Sequence, residues 1–466
     1  MTTVSKTGGA FSGHPKALAY LAFTEAWERF SYYGMTGLLV LYMVNQLLLP
    51  GHVEHVAGMG GFRYALDGIF GPHSTQALAS QIFGLYAGFV YFTPVLGGYI
   101  ADRWTGQRTA VILGALSMSA GHIAMAFDQS FLLALLLLVV GSGLLKGNIS
   151  AQIGALYPPD DSVRRTRGFA IFSMAINFGA VAGPIVCGFL ASRFGWHIGF
   201  GTAAVFMLCG LLTYLLGYRH MPVRVEHHVP DATAATPAPK SQTRIVVALL
   251  VVMAITIFQS IGYYQVGNVF PIWVQQHVDL SLGAFAIPIP WFQSIDPLFS
   301  IVGVPVLFGL WRRQARGRGE PADLGKIGTG AWLCAASNLI LVGAILLSAD
   351  RPVPVIWPIL YCAGQGIAFL YYWPTLLALV SRAAPPRINS TMMGMTFLTL
   401  FIANNLIGWI GTFYEKMSAL AFWSLHAAIA ATGGILVLML GPVLASVFRS
   451  RPQEGPPPAV AVEVGI

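Results

Sequence analysis

Three ionisable residues stand together inside an apolar stretch: Glu25, Glu28 and Arg29, in the run TEAWERFSYYGM at 24–35. Positions i, i+3 and i+4 share one face of a helix, and Tyr32, Tyr33 and Thr36 continue that stripe. Two carboxylates beside one guanidinium leave an acid in excess, which takes up and releases a proton as its surroundings change. The same three residues also fit a buried ion-pair knot that only holds helices together. Lys146, in LLKGNIS at 144–150, lies too deep in its apolar run for easy snorkelling and suits a pocket cation that reads a carboxylate.

Asp296 lies in FQSIDPLF at 292–299. Pro297 removes a backbone donor beside it. Freed carbonyls next to a carboxylate suit a cation or substrate group, or Asp296 is a local cap on a broken helix. Asn177, in AINFGA at 175–180, fits either a pocket or helix packing. In GYIADRWTGQR at 98–108, Asp102 and the basic pair Arg103 and Arg108 fall where two helix ends meet. A charged clasp there holds one conformation and breaks in another.

Other chemistry finds no support. His52, His55 and His73 share one loop without metal-ligand spacing, and His122 and His426 stand alone. Cys187, Cys209, Cys334 and Cys362 all fall inside apolar runs and read as packing residues. No nucleophile–base spacing occurs in the spans, so an enzyme is not expected.

The elements that position these residues follow from composition. Of 466 residues, 9% are charged and 56% hydrophobic, against about 25% charged in a soluble domain. Twelve apolar runs long enough to span a bilayer follow one another, the first at 18–47, the seventh and eighth at 245–275 and 289–311, and the last at 421–448. The polar stretch 219–244 divides them six and six. The expected organisation is therefore a six-helix bundle at 1–218, a cytoplasmic linker at 219–244, and a second bundle with its tail at 245–466: an all-α membrane protein of twelve helices.

With the N-terminus inside, 20 of the 26 Lys and Arg fall on the cytoplasmic side, as the positive-inside rule asks. Both termini are then cytoplasmic, and the net charge of +8 needs no nucleic acid. The run after the polar first 16 residues is too long for a cleavable signal.

The loop at 98–108 resembles the signature of the major facilitator superfamily. EAWERFSYYG resembles the ExxER motif of the proton-dependent oligopeptide transporters, and FSMAINFG at 172–179 resembles their FYxxINxG, with Ser173 for the usual Tyr. GLLKGNIS at 143–150, FQSIDPLF and MMGMTF at 392–397 resemble their helices 4, 8 and 11, so the likeness covers about 17–448. Linker 219–244 is too short and polar for the two extra helices of many bacterial members.

The resemblance implies the major facilitator fold in a bacterial inner membrane, and proton-driven uptake of di- and tripeptides by alternating access, with no cofactor beyond the proton gradient. Glu25, Glu28 and Arg29 would couple the proton. Lys146 would bind the substrate carboxylate or pair with a carboxylate across the pocket. Tyr32, Tyr33, Tyr91, Asn177, Gln265, Gln293 and Asp296 would surround the substrate, and Asp102, Arg103 and Arg108 would gate.

The departures concentrate in the C-terminal half. Thr36 stands where the family commonly has Arg, and Tyr264 where its Glu partner stands before Gln265. Phe369 occupies the place of the helix 10 Glu, five residues before Pro374, Thr396 replaces a Trp, and Asp296 an Asn. Two transport readings follow: a peptide carrier in which Asp296 takes the amino end, or a carrier of a carboxylate or other organic anion in which Asp296 is structural or protonated. A membrane sensor that binds without transporting is a third, disfavoured because binding alone needs no titrating cluster.

Overall fold

The structure is a computed structural model that describes residues 13–158, 161–222, 240–317, 319, 321–349 and 351–449. Fourteen α-helices account for nearly all of it: α1 Lys16–Tyr42, α2 Met59–Phe70, α3 Thr75–Ile100, α4 Gln107–Ala124, α5 Phe131–Gly154, α6 Ser162–Phe194, α7 Trp196–Gly217, α8 Lys240–Tyr264, α9 Val269–His277, α10 Ile295–Ala315, α11 Asp323–Ser348, α12 Ile356–Ala383, α13 Asn389–Gly411 and α14 Ala419–Arg449. Helices dominate because apolar runs in lipid must bond their backbone internally. Ten of the segments are long and apolar enough to cross a membrane by length and composition alone. Two further crossings, α1 and α4, are more polar: α1 carries the ionisable stripe, and α4 opens on Gln107 and Arg108.

With α8 and α9 as one interrupted crossing, twelve crossings form two six-helix bundles. In the first, α1 packs against α6 and α7, and α5 against α3 and α4. In the second, α11 packs against α12 and α14, α8 against α14, and α10 against α12. Of the expected linker 219–244, residues 223–239 lie outside the described residues.

The structure departs from the expected elements at three places. A short amphipathic helix, α2, interrupts the first long loop. The crossing expected as continuous at 245–275 breaks at Gln265–Gly267, where Asn268 (φ −103°, ψ −90°) leaves helical geometry. The crossing expected from 289 opens as a 3₁₀ turn, Ile289–Ser294, because Pro288 and Pro290 fix the entry. Asp296 and Pro297 therefore occupy the first turn of α10, where a proline costs no helical bond and a carboxylate meets the positive end of the helix dipole. On the same face as α2, two two-residue pairings, Val278–Asp279 parallel to Val353–Pro354 and Ser281–Leu282 antiparallel to Phe285–Ala286, tie the loops.

The bundles meet along two seams. In the first, a Cβ at Gly84 of α3 would lie 2.6 Å from the backbone of Asn404 and Gly408 in α13, so only glycine permits the approach. Asn268 donates to Ser80 at 2.7 Å and to the Ile407 carbonyl at 3.0 Å. In the second, the Trp291 indole donates to the Ile185 carbonyl at 2.9 Å, and Ser294 to that of Val181 at 2.7 Å. Both seams close the face away from the start of α1 and the end of α14. Toward the terminal face, the position of a Cβ at Gly394 comes no nearer than 3.9 Å to Val95. The cavity between the bundles reaches toward that side, with Val95, Ser150, Phe169 and Gly394 in its wall.

Candidate substrate and proton site

The stripe of α1 is buried as a unit. Glu25 is 1% exposed, Glu28 0% and Arg29 6%. Arg29 Nε lies 2.7 Å from Glu25 Oε1 and 3.1 Å from Glu28 Oε2. Among the described residues, Glu25 Oε2 and both oxygens of Glu28 have no hydrogen-bond donor. Two acids thus share one guanidinium, as the spacing predicts. Gly179 lets α6 close over them: a Cβ there would lie 2.4 Å from the Ala26 carbonyl oxygen and 2.8 Å from Arg29 Cβ.

Lys146 belongs to α5, which presses on α3 where a Cβ at Gly97 would fall 2.0 Å from the Gly143 carbonyl oxygen. Its Nζ stands 4.3 Å from the Tyr32 ring centroid and 5.9 Å from that of Tyr91. Among the described residues it makes no ion pair within 4.0 Å. Tyr32 and Tyr33 meet edge to face, with centroids 5.1 Å apart. Glu25, Arg29, Tyr91, Lys146, Phe172 and Phe397 contribute to the wall of one cavity of about 350 Å³ between the bundles. Asn177 lies one turn beyond Ser173, which also lines it; its amide donates to the Ser173 carbonyl at 3.0 Å and its Oδ1 has no partner.

On the facing bundle, Tyr264 donates to the Tyr91 hydroxyl at 3.3 Å. Tyr263, its neighbour, donates to Asp296 Oδ2. Asp296 is 5% exposed, its Oδ1 has no hydrogen-bond partner among the described residues, and a Cβ at Gly366 would lie 2.9 Å from that oxygen. Phe369 covers Tyr263 with ring centroids 5.1 Å apart. Gln293 is half-buried beside Gly37, with Nε2 unpartnered.

The structure departs from the expected site at two points. Gln265 does not face the cavity. It is fully buried at the α8–α9 break, donates to the Ile407 carbonyl at 3.3 Å and accepts from the Val269 amide, because a broken helix must satisfy its backbone. The clasp is not closed. Asp102 is exposed and makes no ion pair among the described residues. Arg103 donates to the Tyr99 hydroxyl at 2.7 Å, and Arg108 bonds the Met221 and Pro222 carbonyls at the end of α7. Arg108 thereby pins α4 to α7 inside one bundle. Sequence reasoning missed the Tyr91–Tyr264 and Tyr263–Asp296 contacts, because no spacing rule pairs phenols on different helices.

The comparisons with known proteins decide the family. A model described as Major Facilitator Superfamily matches residues 30–408. The chain belongs to the major facilitator superfamily. Within this superfamily it is similar to proteins described as peptide transporters. It is 28% identical to the uncharacterized transporter YclF of Bacillus subtilis, over 93% of this chain and 95% of that one. It is 27% identical to the peptide transporter YePEPT of Yersinia enterocolitica, over 97% and 99%. Among solved structures, a mutant of a peptide transporter POT in complex with alafosfalin superposes with a TM-score of 0.82 at 26% identity, covering 94% of this chain and 97% of that one. A POT family transporter in complex with 5-aminolevulinic acid gives 0.78 at 25%, covering 93% and 98%. This superfamily member is a transporter rather than an enzyme.

Proposed function

We propose that the chain is a proton-coupled symporter that imports di- and tripeptides and peptide-like compounds by alternating access. The observation that carries this reading is one cavity lined by both a titratable acid–guanidinium cluster and a lysine with no carboxylate partner among the described residues. Glu25, Glu28 and Arg29 hold and release the proton. Lys146 binds the substrate carboxylate, with Tyr32, Tyr33 and Tyr91 against the peptide body and Asn177 and Gln293 supplying unsatisfied amide groups. The relatives' peptide and peptide-like ligands favour this over a non-peptide anion.

In this reading the terminal face lies in the cytoplasm of a bacterial inner membrane, which the basic loops support; the closed seams are then external and the chain is inward-facing. Residues 1–218 and 245–466 then act as two rocking halves joined by the cytoplasmic linker 219–244. In this orientation the open Asp102 loop is one state of a gate, with Arg103 and Arg108 as its basic members. No cofactor enters; the proton gradient drives the cycle.

Binding tests the reading without transport. A ligand of the folded state raises its melting temperature, so dialanine and trialanine should each raise that of the purified protein, and Lys146→Ala should abolish the shift. No shift with any di- or tripeptide would contradict the proposal.

A further inference from the structure

We infer that this carrier leaves the amino end of its substrate unread, and accepts N-acylated dipeptides and N-acyl amino acids with a free carboxylate as readily as free peptides. The inference rests on the peptide-carrier reading above. A zwitterion needs a cation at one end of its site and an anion at the other. The first bundle supplies the cation: Lys146 Nζ, 4.3 Å from the Tyr32 ring centroid and without an ion pair among the described residues.

The facing bundle offers no counterpart. Tyr264 reaches toward the first bundle with a phenol that bonds Tyr91. Phe369 is packed on Tyr263. Gln259 and Gln365 are buried with their amides on the Ala368 and Gly262 carbonyls. Asp296, the only buried acid among the described residues of this bundle, is 5% exposed. Tyr263 holds one of its oxygens, and the α12 backbone at Gly366 crowds the other.

Glu25 does line the cavity, but Arg29 takes its Oε1, and it shares the first bundle with Lys146. A dipeptide whose carboxylate is on Lys146 extends away from that wall. Its ammonium would lose water against phenols and phenylalanines and gain no carboxylate, which is costly. An acyl cap removes that charge and places apolar surface against Phe397 and the aromatic side chains of α8.

The test is competition against labelled dialanine uptake in proteoliposomes, with melting shifts of the same purified protein as a direct binding measure. N-acetyl-dialanine should compete within about threefold of dialanine, while dialanine amide, which lacks the carboxylate, should be weaker by about tenfold or more, the effect of one lost charge-assisted bond. Asp296→Asn should leave the ratio of N-acetyl-dialanine to dialanine binding unchanged. A tenfold or larger loss on acetylation, or a ratio that moves in Asp296→Asn, would overturn the inference. Binding of N-acetyl-dialanine without uptake of dialanine would support it and shift the substrate class to blocked peptides. If neither compound binds, the peptide reading itself fails and takes this inference with it.

Discussion

The hydroxyl of Tyr264 donates a hydrogen bond to the hydroxyl of Tyr91 at 3.3 Å, joining α8 of one bundle to α3 of the other across the cavity. It occupies the place where the family's helix 7 Glu would stand. Thr36, where the Glu's usual Arg partner would be, returns its hydroxyl to the Tyr32 carbonyl at 2.9 Å. Loss of both charges together leaves no uncompensated buried ion, which would cost several kcal/mol. A neutral phenol pair ties the two bundles here, and in the proposed orientation this is the inward-facing state. Tyr264→Phe removes a bond worth about 0.5–1.5 kcal/mol. The inward-open population should fall by up to about tenfold, read as a distance distribution between spin labels on the terminal-face ends of α3 and α13. An unchanged distribution would show that the bond carries no such role.

On the proposed reading, substrate affinity turns on Lys146. Lys146→Ala removes a charge-assisted contact worth about 1.5–3 kcal/mol, so the KM for dialanine should rise by about tenfold to a hundredfold. Lys146→Arg, which keeps the charge but not the point geometry, should fall between. Full uptake by the alanine variant would refute the role.

Glu25→Gln and Glu28→Gln separate coupling from movement. Each removes a titrating group beside Arg29 while keeping its shape. Proton-driven accumulation should collapse in at least one of them, while counterflow exchange of labelled for unlabelled peptide persists. Equal loss of both activities would make the cluster the buried ion-pair knot instead.

Outside the membrane, α2 carries its own pH dependence. The hydrogen bond from His73 at 2.6 Å, then the burial it accompanies, dominate the carboxyl of Asp67, and the net effect holds it below its ordinary value of 3.8. A carboxyl depressed in the folded state stabilises above its unfolded pKa and loses that contribution as pH falls through the folded value. Amide hydrogen exchange across 59–73 should therefore be constant from pH 7 to about 4 after correction for intrinsic rates, and rise only below that. Loosening already at pH 6 would point to another group.

How much of this was legible depended on the range of the interaction. The stripe of Glu25, Glu28 and Arg29 is local, within five residues of chain, and both ion pairs of Arg29 form inside it. Lys146 was legible because an isolated charge deep in an apolar run has few explanations. The two-bundle plan followed from counting apolar runs. Three features were not legible. The Tyr91–Tyr264 bond joins residues 173 apart in the chain. The break at Gln265–Gly267 lies inside a run that no charged residue interrupts, so it reads as one crossing. Helix α2, with Gly60, Gly61 and Gly68, has the composition of a loop and is defined by burial of Met59 and Leu66.

The central claim is that one cavity couples a proton to a peptide. Reconstituted protein with a pH-sensitive dye inside the vesicles tests it directly. An inward proton gradient should drive accumulation of dialanine, and dialanine added without a gradient should acidify the lumen, with both signals lost in Glu25→Gln, Glu28→Gln or their double variant. Peptide accumulation that ignores the gradient, or dialanine entry without acidification, would contradict the account.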